Sequence, residues 1–512
     1  MSTRTDTPTE GSHLSHRKVL RVMTGVMAGM FLAALDQTIV ATALPSLVES
    51  LGGLHQITWV ITAYMLSTTV SAALWGKISD LRGRRPAYLS AMAIFMGASV
   101  LCSMAQNMPQ LITARALQGI GGGGMQALAF AIMGDVLSPR HRGRYVGLMS
   151  GTFAMGSVAG PLAGGFFVDH ASWRWIFLIN IPLGLIAMVI AWSALKGVGA
   201  PRPARLDVKG ALVLSIAVIS LLLGAVLGGK NFAWLSPVIV GLFVSAVAFG
   251  WLFMRIEHRV PEPILAPHLL KSRILMLSIG IAAISSVMFQ SAGLYLPLFL
   301  QTVRGSSATR SGILVAPLMF GMAAASITVG RRVSATGRYR VMLLAGTLGM
   351  LGVTFGLMSL NNHTSPVVVI TMMVVLGLAF GVVSPIVNLS AQNAMPVEHL
   401  GAASSALVTL RALGATLGIA AVGAVVLSRL SAGLANLRGL NGLDGEHLVT
   451  GPKAIAALAE PLRGQVTSAM ARAIASGFWV CVPLALAAIA IAWLLPEVPL
   501  RSTTAESVPS HE

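Results

Sequence analysis

Long apolar runs separated by short polar stretches recur along the whole chain, near 22–44, 57–75, 87–105, 110–133, 145–167, 174–195, 210–228, 235–254, 274–300, 311–330, 341–360, 366–388, 402–427 and 475–495. About 20 apolar residues in a helix cross the roughly 30 Å hydrocarbon core of a bilayer. The pattern predicts an all-α integral membrane protein with fourteen transmembrane helices, since helices satisfy their own backbone groups in lipid. An even number puts both termini on one side. Basic residues mark that side: Arg17, Lys18 and Arg21 before helix 1, Lys77, Arg82, Arg84 and Arg85 after helix 2, then Arg140, Arg142, Arg144, and later Arg331, Arg332, Arg338 and Arg340. By the positive-inside rule it is cytoplasmic, with cytoplasmic tails at 1–21 and 496–512 and a long outer loop at 428–474. The first run is too long for a signal-peptide core and another span follows closely, so it reads as an uncleaved helix.

Composition agrees. Hydrophobic residues make up 55% and charged residues 10% of the 512 residues, and the mean hydropathy is +0.79, far from soluble domains. The formal charge of +18 sits mostly in the cytoplasmic loops and reflects topology rather than nucleic-acid binding. The two cysteines, Cys102 and Cys481, lie in separate apolar runs, and the 11 histidines are scattered without ligand spacing, which argues against a disulfide framework, a metal site and an enzyme. No cofactor beyond a proton motive force is expected.

The chain repeats itself. Gly76, Lys77, Gly83 and Arg84 lie on Gly330, Arg331, Gly337 and Arg338 at an offset of 330 − 76 = 254. The same offset carries Asp36 onto Gln290, and Gly160 and Gly164 onto Gly414 and Gly418. The chain therefore divides into six-helix bundles at 22–195 and 274–495, joined by an insert at 196–273 with two extra helices. Duplicated halves are a transporter design, with the substrate site between them and access by rocking.

Asp36 lies inside the first run, where an ionised carboxylate costs on the order of 3 kcal/mol. It reads as a proton or cation site. The loop after helix 2, Gly76-Lys77-Ile78-Ser79-Asp80-Leu81-Arg82-Gly83-Arg84-Arg85-Pro86, resembles the helix 2–3 loop of the major facilitator superfamily. Gly76 permits close helix approach, Gly83 turns the chain, and Asp80 is suited to meet a helix N-terminus or an arginine. The resemblance implies that this loop latches the two halves in the outward-facing state, while Ser334 in the second copy makes that latch degenerate. Helix 4, with Arg115, Gln118 and Gly119, resembles the superfamily's helix 4, and helices 1 and 4 lie side by side in that fold. This implies that Arg115 partners Asp36 and tunes its proton binding. Asp135, at the end of helix 4, and the turn holding Arg142 resemble the next cytoplasmic element, implying a gating contact between Asp135 and arginines of the Asp80 loop.

Helix 5 contains Gly156, Gly160, Pro161, Gly164 and Gly165, and resembles the signature of drug:proton antiporters. The glycines leave a stripe for close packing, and Pro161 permits a bend. The two extra helices resemble the fourteen-helix branch, drug:proton antiporter-2. Gln37, Gln118, Gln290, Tyr295, Phe299, Asn388 and Arg411 are candidates for the wall of a substrate cavity, with a gating or structural role favoured over a substrate contact for Arg411. The reading is a proton-driven exporter of amphipathic, cationic or lipophilic drugs in the cytoplasmic membrane. An exporter of one endogenous antibiotic, lipid or siderophore is the alternative. With no acid in 311–330 or 367–388, monovalent cations or neutral lipophiles are expected over dications. Partners are protons, membrane lipids and, where the host has an outer membrane, a periplasmic adaptor.

Overall fold

The computed structural model describes residues 16–52, 56–137, 139–198, 207–228, 232–260, 271–305, 316–395, 400–434 and 460–498. The first half contains α1 (His16–Leu51), α2 (Ile57–Arg82), α3 (Arg84–Met104), α4 (Met108–Val136) and α5 (Pro139–His170), then α6 (Trp175–Leu178) and α7 (Asn180–Ala194), which run on as one segment. Helices α8 (Val208–Leu227) and α9 (Pro237–Glu257) form the insert. The second half contains α10 (Arg273–Thr302), α11 (Ala316–Thr336), α12 (Arg340–Met358), α13 (Pro366–Asn393), α14 (Leu400–Leu434), and α15 (Leu462–Gly477), which continues through a 3-10 turn into α16 (Cys481–Leu494).

Local chemistry explains the ends. Ser365 and Ser236 cap α13 and α9 ahead of Pro366 and Pro237, and the Asn107 side chain accepts from the Gln110 backbone N–H at 3.0 Å; each satisfies an N–H that the first turn leaves free. Gly83 turns α2 into α3 with φ 89°, and its counterpart Gly337 has φ 71°, a region that β-carbons disfavour.

Among the described residues, ten helical segments are long and apolar enough to cross a membrane. Helices α2, α4, α8 and α11 fall outside that group. For α2 and α4 the reason is visible, because they pack on one another through threonine, serine and glycine positions and so face protein rather than lipid. Helix ends also run past the apolar stretches. Helix α1 begins at His16 rather than near 22, and α14 reaches Leu434 while α15 starts at Leu462. The expected outer loop at 428–474 is thus narrower, since exposed Arg429 and Arg472 are tolerated in helix beyond the apolar zone; residues 435–459 lie outside the described residues.

The duplication is visible in the close crossings. Gly119 and Gly123 of α4 rest on the carbonyls of Tyr64 and Thr68 in α2, and Gly377 and Gly381 of α13 rest on those of Leu318 and Met322 in α11. The offset is 318 − 64 = 254 for the first helix of each pair but 377 − 119 = 258 for the second. The link α3–α4 spans 105–107, whereas α12–α13 spans 359–365, four residues more. Past α12 the single offset of 254 therefore fails, and Gly156 and Gly160 correspond to Gly414 and Gly418. The corrected alignment sets Met373 against Arg115.

One apolar core is drawn from 275–495, with Ala154 of α5 joining it. Two others are drawn from the first half, and Val408 of α14 joins one. These intrusions mark where the halves meet. A methyl group added at Gly143 would sit 2.8 Å from the Gly330 carbonyl, and one at Gly147 2.5 Å from that of Ser326. The Arg144 backbone N–H donates to Ser334 Oγ at 3.2 Å, and one at Gly134 would lie 3.1 Å from the Leu400 side chain. All lie at the end that carries the basic loops. Ser334, expected to be a degenerate latch, is one of the contacts across this join.

This join makes a prediction. G330L drives a side chain into the α5 backbone, and overpacking of this kind costs about 1–3 kcal/mol, or roughly tenfold in population. With Cys102 and Cys481 replaced, maleimide labelling of A154C from the basic side should rise several-fold in G330L. Unchanged labelling would show that the join does not close this end.

Candidate functional site

Asp36, in the middle of α1, is completely buried, as are Gln118, Asn180 and Ser99, while Arg115 is 1% exposed. Arg115 Nη1 donates to Asp36 Oδ2 at 2.7 Å. Asp36 Oδ1 accepts from Gln118 Nε2 at 2.8 Å and from Asn180 Nδ2 at 2.7 Å. Three donors on two oxygens suit a carboxylate; a protonated acid would need an acceptor in place of one of them. Arg115 has other holds as well: Gln118 Oε1 at 2.6 Å, the Val60 carbonyl at 3.3 Å, and the face of Tyr64, whose centroid is 4.1 Å away. Ser99 Oγ accepts from Gln118 Nε2 at 2.7 Å. The guanidinium can therefore stay seated without the carboxylate.

Local sequence places each group. Arg115 and Gln118 are three apart on α4 and share a face. Asn180 stands where α6 gives way to α7, a break that matches Pro182, which lacks an N–H to continue the ladder. Asn180, Ser99 and Tyr64 were not foreseen as site residues. A lone asparagine in the apolar stretch 176–189 was the signal available for one of them.

Behind this cage α5 crosses α1. A methyl group at Gly156 would lie 2.7 Å from the Phe31 carbonyl, one at Gly160 2.9 Å from that of Leu35, and one at Gly164 2.8 Å from that of Ile39. Asp36 sits within this stretch of α1. Gly165 meets nothing within 4 Å and has no part in the crossing. Pro161 is carried inside the helix.

At the basic end a second charge cluster ties three helix ends together. Arg84 donates from Nη1 to Asp80 Oδ1 and Ser79 Oγ, and from Nε to Asp135 Oδ2, each at 2.5 Å. Arg142 caps α4, donating to the carbonyls of Leu137 at 2.8 Å and Gly134 at 2.5 Å. Asp80, Arg84 and Asp135 thus brace the first half internally, while Gly143 on Gly330 is among the contacts between halves. Gly76 lies on α2 one turn before Asp80, and its carbonyl accepts from Ser79 Oγ at 2.8 Å.

The profile of the Major Facilitator Superfamily matches residues 26–419, a span that includes the Asp36 cage and the α1–α5 crossing. The chain belongs to that superfamily. It is 39% identical over 408 residues to the multidrug transporter protein MdtP of Bacillus subtilis, covering 80% of this chain and 75% of that one. It is 30% identical over 487 residues to multidrug resistance protein 3 of the same organism, covering 92% and 94%. The fold is similar to the crystal structure of the human organic anion transporter MFSD10, with a TM-score of 0.64, 16% identity, and coverage of 93% and 99%. At that identity the likeness concerns the fold alone. This facilitator is a multi-pass membrane transporter related to multidrug efflux pumps, and not an enzyme.

Two of the expected cavity residues are reassigned. Gln118 is spent on the Asp36 cage, and Phe299 is completely buried in the core of the second half. Both looked suitable because polarity and aromaticity do not reveal which way a helical position points. Tyr295 and Asn388 are also buried, Asn388 donating to the Ser384 carbonyl at 2.8 Å. Gln37, Gln290 and Arg411 are half-exposed.

The crossing of α1 and α5 yields a prediction. G160A should lower the thermal stability of the purified transporter by about 1–3 kcal/mol through overpacking, while G165A should leave it within about 1 kcal/mol, on the favourable side of helix propensity. Equal melting temperatures for the two variants would mean that the crossing tolerates a methyl group.

Proposed function

We propose that this facilitator is a proton-coupled antiporter of the drug:proton antiporter-2 type, with fourteen transmembrane helices and both termini cytoplasmic. It exports amphipathic, lipophilic compounds across the cytoplasmic membrane by alternating access. The observation that carries this reading is the sealed cage around Asp36, the one acid inside the apolar runs, held by donors from α4 and α7. Relatives named as multidrug transporters support the export of drug-like compounds. The bundles at 22–195 and 274–495 and the insert at 196–273 are the moving and linking parts of this scheme.

Protonation of Asp36 at Oδ2 displaces Arg115 Nη1, which Gln118, the Val60 carbonyl and the Tyr64 ring retain. Breaking a buried pair while one partner stays charged costs about 3–5 kcal/mol, so the change is large enough to shift a conformational balance. Helix α1, left on α4 with only the hydrogen bond from Gln118 to Asp36 Oδ1, moves with α5 because the glycine crossing leaves no slack. The start of α5 forms the join at Gly330, so the step loosens the cytoplasmic end. Substrate then enters from the cytoplasm as the proton leaves there, and re-formation of the pair restores the closed join. Both oxygens of Asp36 are engaged in the cage, so a cationic substrate would be held by aromatic faces or carbonyl oxygens rather than by this acid.

D36N tests this. The amide preserves shape but binds no proton, so coupling is lost without unfolding. One charge falling through 100 mV releases about 2.3 kcal/mol, enough for gradients of roughly fiftyfold. In proteoliposomes with an imposed pH gradient, the variant should equilibrate N-phenyl-1-naphthylamine without accumulating it. Uphill, proton-linked accumulation by D36N would place the carrier elsewhere and overturn the assignment.

A further inference from the structure

The apolar runs carry an unbalanced charge. Apart from Arg174 at an outer edge, they contain one acid, Asp36, and two cations, Arg115 and Arg411, a sum of 2 − 1 = +1. Asp36 and Arg115 neutralise each other inside the first half at 2.7 Å. Arg411 has no counterion: among the described residues no hydrogen bond, ion pair or ring contact reaches it. An unpaired guanidinium at membrane depth is costly, and such residues mark a substrate path or a missing partner.

Its position says which path. Helix α14 is buried on all described sides from Ala403 to Thr409, and from Leu410 to Gly414 every residue is half-exposed. Val408, one turn before Arg411 on the same face, is buried in a core of the first half. Leu400, at the start of α14, touches the position of Gly134. Arg411 therefore stands on the first turn beyond the join, where the packing between halves opens. On its other side Gly414 rests on Ala283 of α10.

We infer that Arg411 is the seat for an anionic or strongly accepting group of the exported amphiphile, a sulfonate, carboxylate or phosphate attached to an apolar body. The inference rests on the exporter reading and narrows its substrates. A guanidinium offers several N–H donors in one plane and pairs with such groups in two parallel hydrogen bonds. A cationic amphiphile would meet uncompensated positive charge there. To the expectation of monovalent cations or neutral lipophiles over dications, drawn from a scarcity of acids, the excess cation adds a preference for an anionic or accepting group.

The probes are 1-anilinonaphthalene-8-sulfonate and N-phenyl-1-naphthylamine, which differ by the sulfonate. Binding is followed by fluorescence with the full chain in nanodiscs, corrected with nanodiscs that contain no protein, and compared for the wild type, R411Q and R411K. The wild type should prefer the sulfonate, and R411Q should reduce the ratio of the two affinities roughly tenfold to a hundredfold, the range of a charge-assisted hydrogen bond. R411K, which keeps the charge but not the fork, should lose less. Elution as a single monodisperse peak shows that each variant is folded. A ratio indifferent to residue 411, whether both dyes bind alike or neither binds, overturns the inference. Proton-driven uptake of either dye into inverted proteoliposomes is scored separately. Binding that depends on Arg411 without such transport would sink the exporter reading and leave the anion seat standing.

Discussion

Charges sealed from both water and lipid survive only if every lone pair and proton finds a partner, and the first half of this transporter is organised around meeting that demand for Asp36 and Arg115. Helix α1 brings the acid, α4 the guanidinium and Gln118, α3 Ser99, α7 Asn180, and α2 the Val60 carbonyl and the Tyr64 ring. These segments converge on one point, so none can slide far without opening a hydrogen bond in a medium that offers no replacement. A change in the charge of that point is therefore felt by the whole bundle.

Glycine supplies the mechanical connection. Where α5 crosses α1, and where its start meets α11, backbones approach so closely that a single added methyl group would collide with a carbonyl. Such surfaces hold only short side-chain groups between backbones, such as the Thr38 and Thr42 hydroxyls, and a shift of one helix is passed to the next. The basic-end cluster of Asp80, Arg84 and Asp135 works differently, bracing the ends of α2, α3 and α4 against one another through charge.

The halves share a backbone plan and differ in charge. Both keep a left-handed glycine after their second helix and the same pair of close glycine crossings, yet Gln290 and Met373 stand where the first half has Asp36 and Arg115. Among the described residues the buried acid–guanidinium pair is thus confined to the first half by side-chain content. Within its apolar runs the second half keeps a single cation, Arg411, so the two halves differ in the charge they carry at membrane depth.

Much of this was legible in the sequence, because lipid imposes rules that single residues reveal. Apolar runs mark helices, loop arginines mark the side, and an acid inside a run stands out since its cost demands a use. The pairing of Asp36 with Arg115 followed from superfamily resemblance. What the tertiary structure alone decided concerns direction and register. Nothing in the composition of α4 tells that Gln118 points into the cage, or in α10 that Phe299 points into the core, because both helices are apolar on most sides. The change of offset from 254 to 258 depends on a longer link whose effect appears only once the crossings are seen. That Arg411 has no partner among the described residues is likewise a tertiary fact, since a residue's partners come from distant segments that only packing brings near.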